Sequence, residues 1–117
     1  MPTTYNQFPI FLKSPTYNVD AIPAPLKNTH RALMKFAHAL YVSDVDLTFT
    51  VYWKGLYTNV ENSKVYTMSK DKEYFKQKFP RGILAREWRY EIAGTDATIC
   101  EITEAGLMWL PHPIGGR

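Results

Sequence analysis

The stretch NTHRALMKFAHALY, residues 28–41, decides the fold that the sequence predicts. Asn28 or Thr29 can cap a first helical turn, because a side-chain oxygen there accepts a bond from a free backbone N–H. The apolar residues that follow recur three and four positions apart, which is the spacing of one helix face. These residues are Leu33, Phe36, Ala37, Leu40 and Tyr41. We therefore predict an amphipathic helix over 28–41, with Arg31 and Lys35 on its polar side.

The next stretch, DLTFTVYWKG at 46–55, alternates between two kinds of side chain. Leu47, Phe49 and Val51 fall on one side, while Thr48 and Thr50 fall on the other. β-branched and aromatic residues at a period of two are typical of a strand. The stretches LYTNV and SKVYTM of 56–68 predict a return strand that is interrupted near Glu61 and Asn62, so that this part of the chain forms a hairpin.

A second helix is predicted over SKDKEYFKQKF, residues 69–79. Ser69 is a favourable N-cap, and the acidic residues precede the lysines, an order that suits the helix dipole. Phe75 and Phe79 are four residues apart and would face the core together. The Pro80-Arg81-Gly82 sequence would then end the helix.

The C-terminal part of the chain predicts a second hairpin over 86–103, with its turn at 94–96, and a short helix over 104–110. The predicted order is α-β-β-α-β-β. Antiparallel hairpins and two helices in that order predict an α+β fold with a single domain over 28–110. An irregular Pro-rich arm would occupy 1–27 and a frayed tail 111–117.

The positive charge of the chain is concentrated in one segment. Residues 70–91 contain seven basic and four acidic side chains, and their difference accounts for the whole net charge of +3. The basic residues of this segment are Lys70, Lys72, Lys76, Lys78, Arg81, Arg86 and Arg89. Basic segments favour phosphate contacts. We therefore predict a small non-enzymatic nucleic-acid-binding protein, for example a regulator, with added contacts from Arg31 and Lys35.

The stretch YEIAGTDATICEITEAGLMWL, residues 90–110, resembles the wing and final helix of winged-helix DNA-binding domains. In that family two strands form a wing and then lead into a closing helix. The resemblance implies a recognition helix just upstream, which falls on 69–79, and contacts from its lysines to phosphates or base edges. It also implies that Arg86 and Arg89 lie on the wing.

An alternative function is a protein–protein interaction module, such as a small adaptor or inhibitor. Aromatic residues make up 15% of the chain, and Tyr and Trp often anchor interfaces. The candidate anchors are Tyr5, Tyr17, Trp53, Tyr57 and Tyr66, together with the N-terminal arm, against another protein or a second copy. Short aromatic-rich chains of this kind are often encoded by phages or mobile elements.

The sequence contains no strong catalytic or metal-binding motif. His30 and His38 are eight residues apart, whereas a two-histidine metal site on a helix needs a spacing of four. We expect no catalytic residues, no metal, no cofactor and no small-molecule substrate. The single cysteine, Cys100, cannot form an internal disulfide and fits a reducing compartment. No apolar run approaches the roughly 20 residues that span a bilayer, so we expect a cytoplasmic protein without a membrane partner.

Overall fold

The structure, a computed structural model, describes residues 8–18, 29–55 and 59–113. Over these ranges the chain forms strands and no helix. The strands are β1 (Phe8–Lys13), β2 (Tyr17–Asn18), β3 (Thr29–Ser43), β4 (Leu47–Lys54), β5 (Glu61–Met68), β6 (Tyr74–Ala85), β7 (Glu87–Ala97) and β8 (Cys100–Pro113). The predicted α+β fold is therefore wrong, and the described part of the chain is a small all-β domain.

The strands form two antiparallel sheets. The five-stranded sheet has the order β1-β7-β4-β5, and β2 also pairs with β7, next to β1. The three-stranded sheet has the order β6-β3-β8. Both sheets turn one side inward, as in a sandwich, where the inner sides pack together to form the core.

Aromatic side chains join the inner sides of the two sheets. The Phe49 ring of β4 stacks on Phe75 of β6, with 5.3 Å between ring centroids, and on Tyr90 of β7 at 5.2 Å. Trp88 of β7 packs against Trp109 of β8 at 5.2 Å. The Phe49–Phe75 and Trp88–Trp109 contacts cross from one sheet to the other, whereas Tyr90 lies beside Phe49 in the same sheet. The core therefore depends on both sheets.

The first predicted helix is instead β3, the central strand of the three-stranded sheet. Its inward residues alternate, and they are the buried Ala32, Met34, Ala37, Ala39 and Tyr41. The pairing slips between Met34 and Phe36, where Lys35 is an extra residue. This bulge advances the alternation by one position. Leu33, Phe36 and Leu40 point outward. The apparent helix face therefore mixed residues from both sides of a strand.

The second predicted helix is also absent. Ser69 does accept a capping bond, from the backbone N–H of Asp71 at 3.1 Å. The bond closes a turn before β6, and no helix follows. Phe75 and Phe79 are buried, because a spacing of four also places two residues on one side of a strand. The Pro80-Arg81-Gly82 sequence lies in an irregular part of β6, where residues 79–82 have no partner in β3.

One predicted hairpin is confirmed and the other is wrong. β4 and β5 pair from Leu47–Met68 to Lys54–Glu61. In contrast, β7 and β8 do not pair with each other, because β7 belongs to the five-stranded sheet and β8 to the three-stranded one. The predicted turn at 94–96 lies inside β7, and the predicted short helix at 104–110 lies inside β8.

The resemblance to a winged-helix domain is therefore wrong. That fold needs helices, and the segment that would supply the recognition helix is a turn followed by strand β6. The two strands of the supposed wing lie in different sheets. Residues 8–18 of the predicted arm add β1 and β2 to the five-stranded sheet. The predicted tail falls partly in β8 and partly outside the described residues.

Candidate interaction face

The outward side of the three-stranded sheet is built from rows of paired residues. Directly opposite residues of neighbouring strands share one side of a sheet. Leu33 is paired with Leu84 and Leu110, and Phe36 with Lys78 and Met108. His38 is paired with Lys76 and Gly106, and Leu40 with Tyr74 and Glu104. Val42 is paired with Glu101. We call this outward side the apolar face.

Large apolar side chains on this face are open to solvent. Tyr74 is 61% exposed, Met108 45% and Leu40 44%. Val42, Leu84 and Leu110 are exposed to a similar degree, and Leu33 and Phe36 are half-buried. Isolated exposed apolar residues are ordinary, but a contiguous patch of this kind is typical of an interaction site.

The charges on the apolar face are divided by strand. Lys76 and Lys78 lie on β6, whereas Glu101 and Glu104 lie on β8, with β3 between them. The Lys76 ammonium lies 4.5 Å from the centre of the Phe36 ring. His38 Nδ1 is 3.8 Å from Glu104 Oε1. Within the described ranges, neither lysine has a carboxylate partner, and Glu101 has no basic one.

The outward side of the five-stranded sheet is different, because most of its charges are paired within the chain. The Arg89 guanidinium donates to Glu91 at 2.6 Å and to Glu61 at 2.9 and 3.2 Å. It also lies 3.9 Å from the centre of the Tyr52 ring. These carboxylates raise the pKa of Arg89 above its usual value. Lys54 pairs with Glu87 at 3.5 Å.

The nine basic residues named from the sequence do not form one continuous surface. Lys70 and Lys72 lie in the turn before β6, and Lys76 and Lys78 lie on the apolar face. Lys35 and Arg81 are exposed beside the irregular part of β6. The Arg86 side chain donates to Gly55 and Asn59 at the corner between the sheets. Arg89 lies on the other sheet, and the side chain of Arg31 is outside the described residues. Nucleic-acid binding stays a prediction.

The aromatic anchors named from the sequence lie mostly away from this face. Trp53 and Tyr66 are half-buried against the core, and Tyr66 packs on the Phe79 ring at 6.0 Å. Tyr17 is exposed in β2, where its ring stacks on Trp88 at 6.3 Å. Tyr5 and Tyr57 lie outside the described residues. The sequence analysis missed Leu40, Met108 and Leu110, because it assigned them to helix faces.

Burial raises the pKa of two titratable groups in this part of the fold, Tyr90 and Cys100. The Tyr90 hydroxyl donates to the Ala105 carbonyl at 3.0 Å, and burial raises the pKa of Tyr90. Burial also raises the pKa of the Cys100 thiol, which disfavours the reactive thiolate. Among the described side chains, no three His, Cys, Asp or Glu groups lie close enough together to hold a metal ion.

Two further observations concern the whole chain. The described part contains no long apolar helix of the kind that spans a bilayer. Comparisons of the chain with protein-family models, curated proteins and solved structures found no match. They give no support to an inhibitor role or to a phage origin.

Proposed function

We propose that this protein is a protein–protein interaction module that docks through the apolar face. The observation that carries the proposal is the row of exposed apolar side chains across three paired strands, from Leu84 and Leu110 to Leu40 and Tyr74. Burying such side chains against a partner is favourable by about 25 cal/mol per Å² removed from water. The proposed docking surface differs from the Tyr and Trp anchors that the sequence predicts.

Two features support a protein partner over nucleic acid. The apolar face carries both signs of charge, with Glu101 and Glu104 on the same side as the lysines. A phosphate backbone would be repelled by those carboxylates. Arg89, a strong candidate for a phosphate contact, is already held by two glutamates. The proposal also places the protein in the cytoplasm, where the single thiol of Cys100 would stay reduced.

Site-specific photo-crosslinking in cells that produce the chain tests this proposal. One variant carries a benzophenone amino acid in place of Met108 on the apolar face. A matched variant carries it in place of Val65, which is 62% exposed on the outward side of the five-stranded sheet. We expect a discrete protein adduct from position 108 and none from position 65.

Two results would count against the proposal. The first is the absence of a protein adduct at position 108, or an equal smear of adducts at both positions. The second is salt-sensitive DNA binding by the purified chain that Lys76→Glu/Lys78→Glu abolishes, measured by fluorescence anisotropy at about 50 and 200 mM salt. That second result would favour the nucleic-acid hypothesis.

A further inference from the structure

We infer that the partner of the apolar face is a second copy of this chain, packed face to face about a two-fold axis parallel to β3. The inference rests on the proposed function and adds the identity of the partner and the symmetry. It is carried by the distribution of charge on the face, by the size of the face, and by the position of its apolar residues.

The charge distribution selects the direction of the axis. When the same sheet face of two copies meets, the two-fold axis lies in the plane between them. An axis parallel to β3 places β6 of each copy over β8 of the other, so lysines meet glutamates twice. An axis perpendicular to β3 places β6 over β6, so Lys76 and Lys78 meet the same lysines of the other copy. Like charges at that distance are unfavourable.

The positions of the charges along the strands fit this arrangement. Lys76 is paired with His38, and Glu104 with Leu40, so the two charges differ by two positions along β3. Two residues of a strand span about 7 Å, a distance that the long side chains of Lys and Glu can bridge. Each dimer would contain this Lys76–Glu104 pair twice. Among the described residues of one chain, Lys76 has no carboxylate partner, and Glu104 has only His38 beside it.

The apolar residues lie where such a dimer needs them. Phe36, Leu40 and Val42 run along the central strand and would lie at the dyad, which is the most thoroughly buried part of the interface. His38 lies between Phe36 and Leu40 in the same row and would meet its own copy there. β3 pairs with β8 over Thr29–Ser43 and with β6 over Ala32–Leu40. From strand rise and spacing, the face measures about 600 Å² per copy, or about 1,200 Å² per pair. That is the lower end of stable interfaces, and we expect a reversible dimer that dissociates on dilution.

Sedimentation equilibrium of the purified chain, from about 1 to 500 µM, tests the association. We expect a reversible monomer–dimer equilibrium. Leu40→Glu places a charge at the centre of each copy's face and should weaken the dimer at least about 100-fold. Leu40 is half exposed in the monomer, so the variant should fold, as circular dichroism would verify. Val65→Glu on the other sheet is the matched control and should leave association unchanged.

Mixing two charge variants tests the axis. Lys76→Glu alone and Glu104→Lys alone should each weaken the dimer about tenfold, because each homodimer then holds two like-charge pairs. An equimolar mixture of these variants restores both opposite-charge pairs and should recover nearly wild-type association. Mixing Lys76→Glu with the wild-type chain should recover only part of it. Association in that second mixture as tight as, or tighter than, that of the wild-type chain would overturn the parallel axis, because with β6 over β6 the substituted position 76 of one copy meets Lys76 of the other.

The outcomes separate the dimer from the broader function. A crosslinked adduct at position 108 with twice the mass of the chain supports both. A monomer at all concentrations, together with a discrete adduct of another mass, overturns the dimer and leaves the interaction module standing. A monomer without any adduct overturns both.

Discussion

The outward sides of the two sheets arrange their charged side chains in opposite ways. On the five-stranded sheet, Arg89 pairs with both Glu61 and Glu91, and the Tyr52 hydroxyl donates to Glu91 at 3.1 Å. On the three-stranded sheet the lysines and glutamates lie two strands apart, and apolar side chains fill the space between them. The first surface pairs most of its charges within one chain, whereas the second combines separated charges with a contiguous row of exposed apolar side chains.

This difference shows that charge count alone is a poor guide to a binding surface. The segment 70–91 contains the whole net charge of the chain, yet it runs from a turn through one sheet into the other. Its most constrained cation, Arg89, is fully engaged within the chain. Lys76 and Lys78 are candidates for contacts with a partner because they lie on β6, within the apolar face. The predictions that follow test the core that both surfaces share, and then the surfaces themselves.

The largest effect is expected from Phe49→Ala, which removes a fully buried ring that contacts both sheets. We expect a loss of about 3–5 kcal/mol in the free energy of unfolding, because a cavity adds to the lost burial. Urea denaturation followed by fluorescence measures it. Phe11→Ala, at a ring that is 64% exposed in β1, is the control and should change stability by less than about 0.5 kcal/mol. Equal losses in both variants would contradict the common core.

The second prediction concerns the bulge between β3 and β6, where Lys35 lies opposite residues 79–82. Gly82 has a φ of 69°, and a Cβ there would lie 2.5 Å from Leu33 Cδ1 and 3.2 Å from the Met34 carbonyl oxygen. Gly82→Ala should therefore cost about 1–3 kcal/mol. Gly106→Ala is the comparison, since its Cβ would meet only the half-exposed His38 ring at 3.2 Å, and it should cost less than about 1 kcal/mol. If the two variants unfold at the same urea concentration, Gly82 does not constrain the bulge.

Part of this fold can be predicted from the sequence. The β4–β5 hairpin was found because Leu47, Phe49 and Val51 alternate with polar residues, so that only one side of the strand is apolar. The buried positions of Phe75 and Phe79 were also predicted, although on a helix, because a spacing of four also places two residues on one side of a strand.

The strands of the three-stranded sheet could not be predicted in the same way. β3 is apolar on both sides, and the bulge at Lys35 breaks its period of two. Its alanines, leucines and methionine also favour helices intrinsically, and only pairing with β6 and β8 overrides that preference. The apolar face was missed for the same reason, since all three of its strands had been interpreted wholly or partly as helices.

A direct comparison of the two surfaces comes from neutralising one cation on each. Arg89→Met leaves Glu61 and Glu91 side by side without their shared donor, and we expect a loss of about 1–2 kcal/mol in the free energy of unfolding. Lys76→Met removes an exposed charge that has no carboxylate partner in the described part of the chain, and it should change stability by less than about 0.5 kcal/mol. Both are measured by urea denaturation at low protein concentration, where the chain is monomeric. The reverse ranking would mean that Lys76 is the engaged cation.

The smallest effect concerns the joint where the chain passes between the sheets. The Asp44 carboxylate accepts bonds from the Thr98 hydroxyl and from the backbone N–H groups of Thr98 and Ile99, all close to where β7 leads into β8. The Thr98 hydroxyl bond is the largest of the causes that lower the pKa of Asp44 below its usual 3.8. A carboxyl whose pKa is lower in the folded state adds stability above the unfolded-state pKa, and this stability is lost as the pH falls through the folded-state value. The contribution of Asp44 should therefore be complete at neutral pH and disappear under acid conditions.

Asp44→Asn removes the titrating group, so the variant should lose less of its urea midpoint than the wild-type protein between about pH 6 and pH 3. Thr98→Val removes the strongest of the three donors and should also flatten this pH dependence, although less completely, because two backbone donors remain. If the wild-type protein and Asp44→Asn lose equal stability over this range, other carboxyls set the acid response and the joint does not depend on the charge of Asp44.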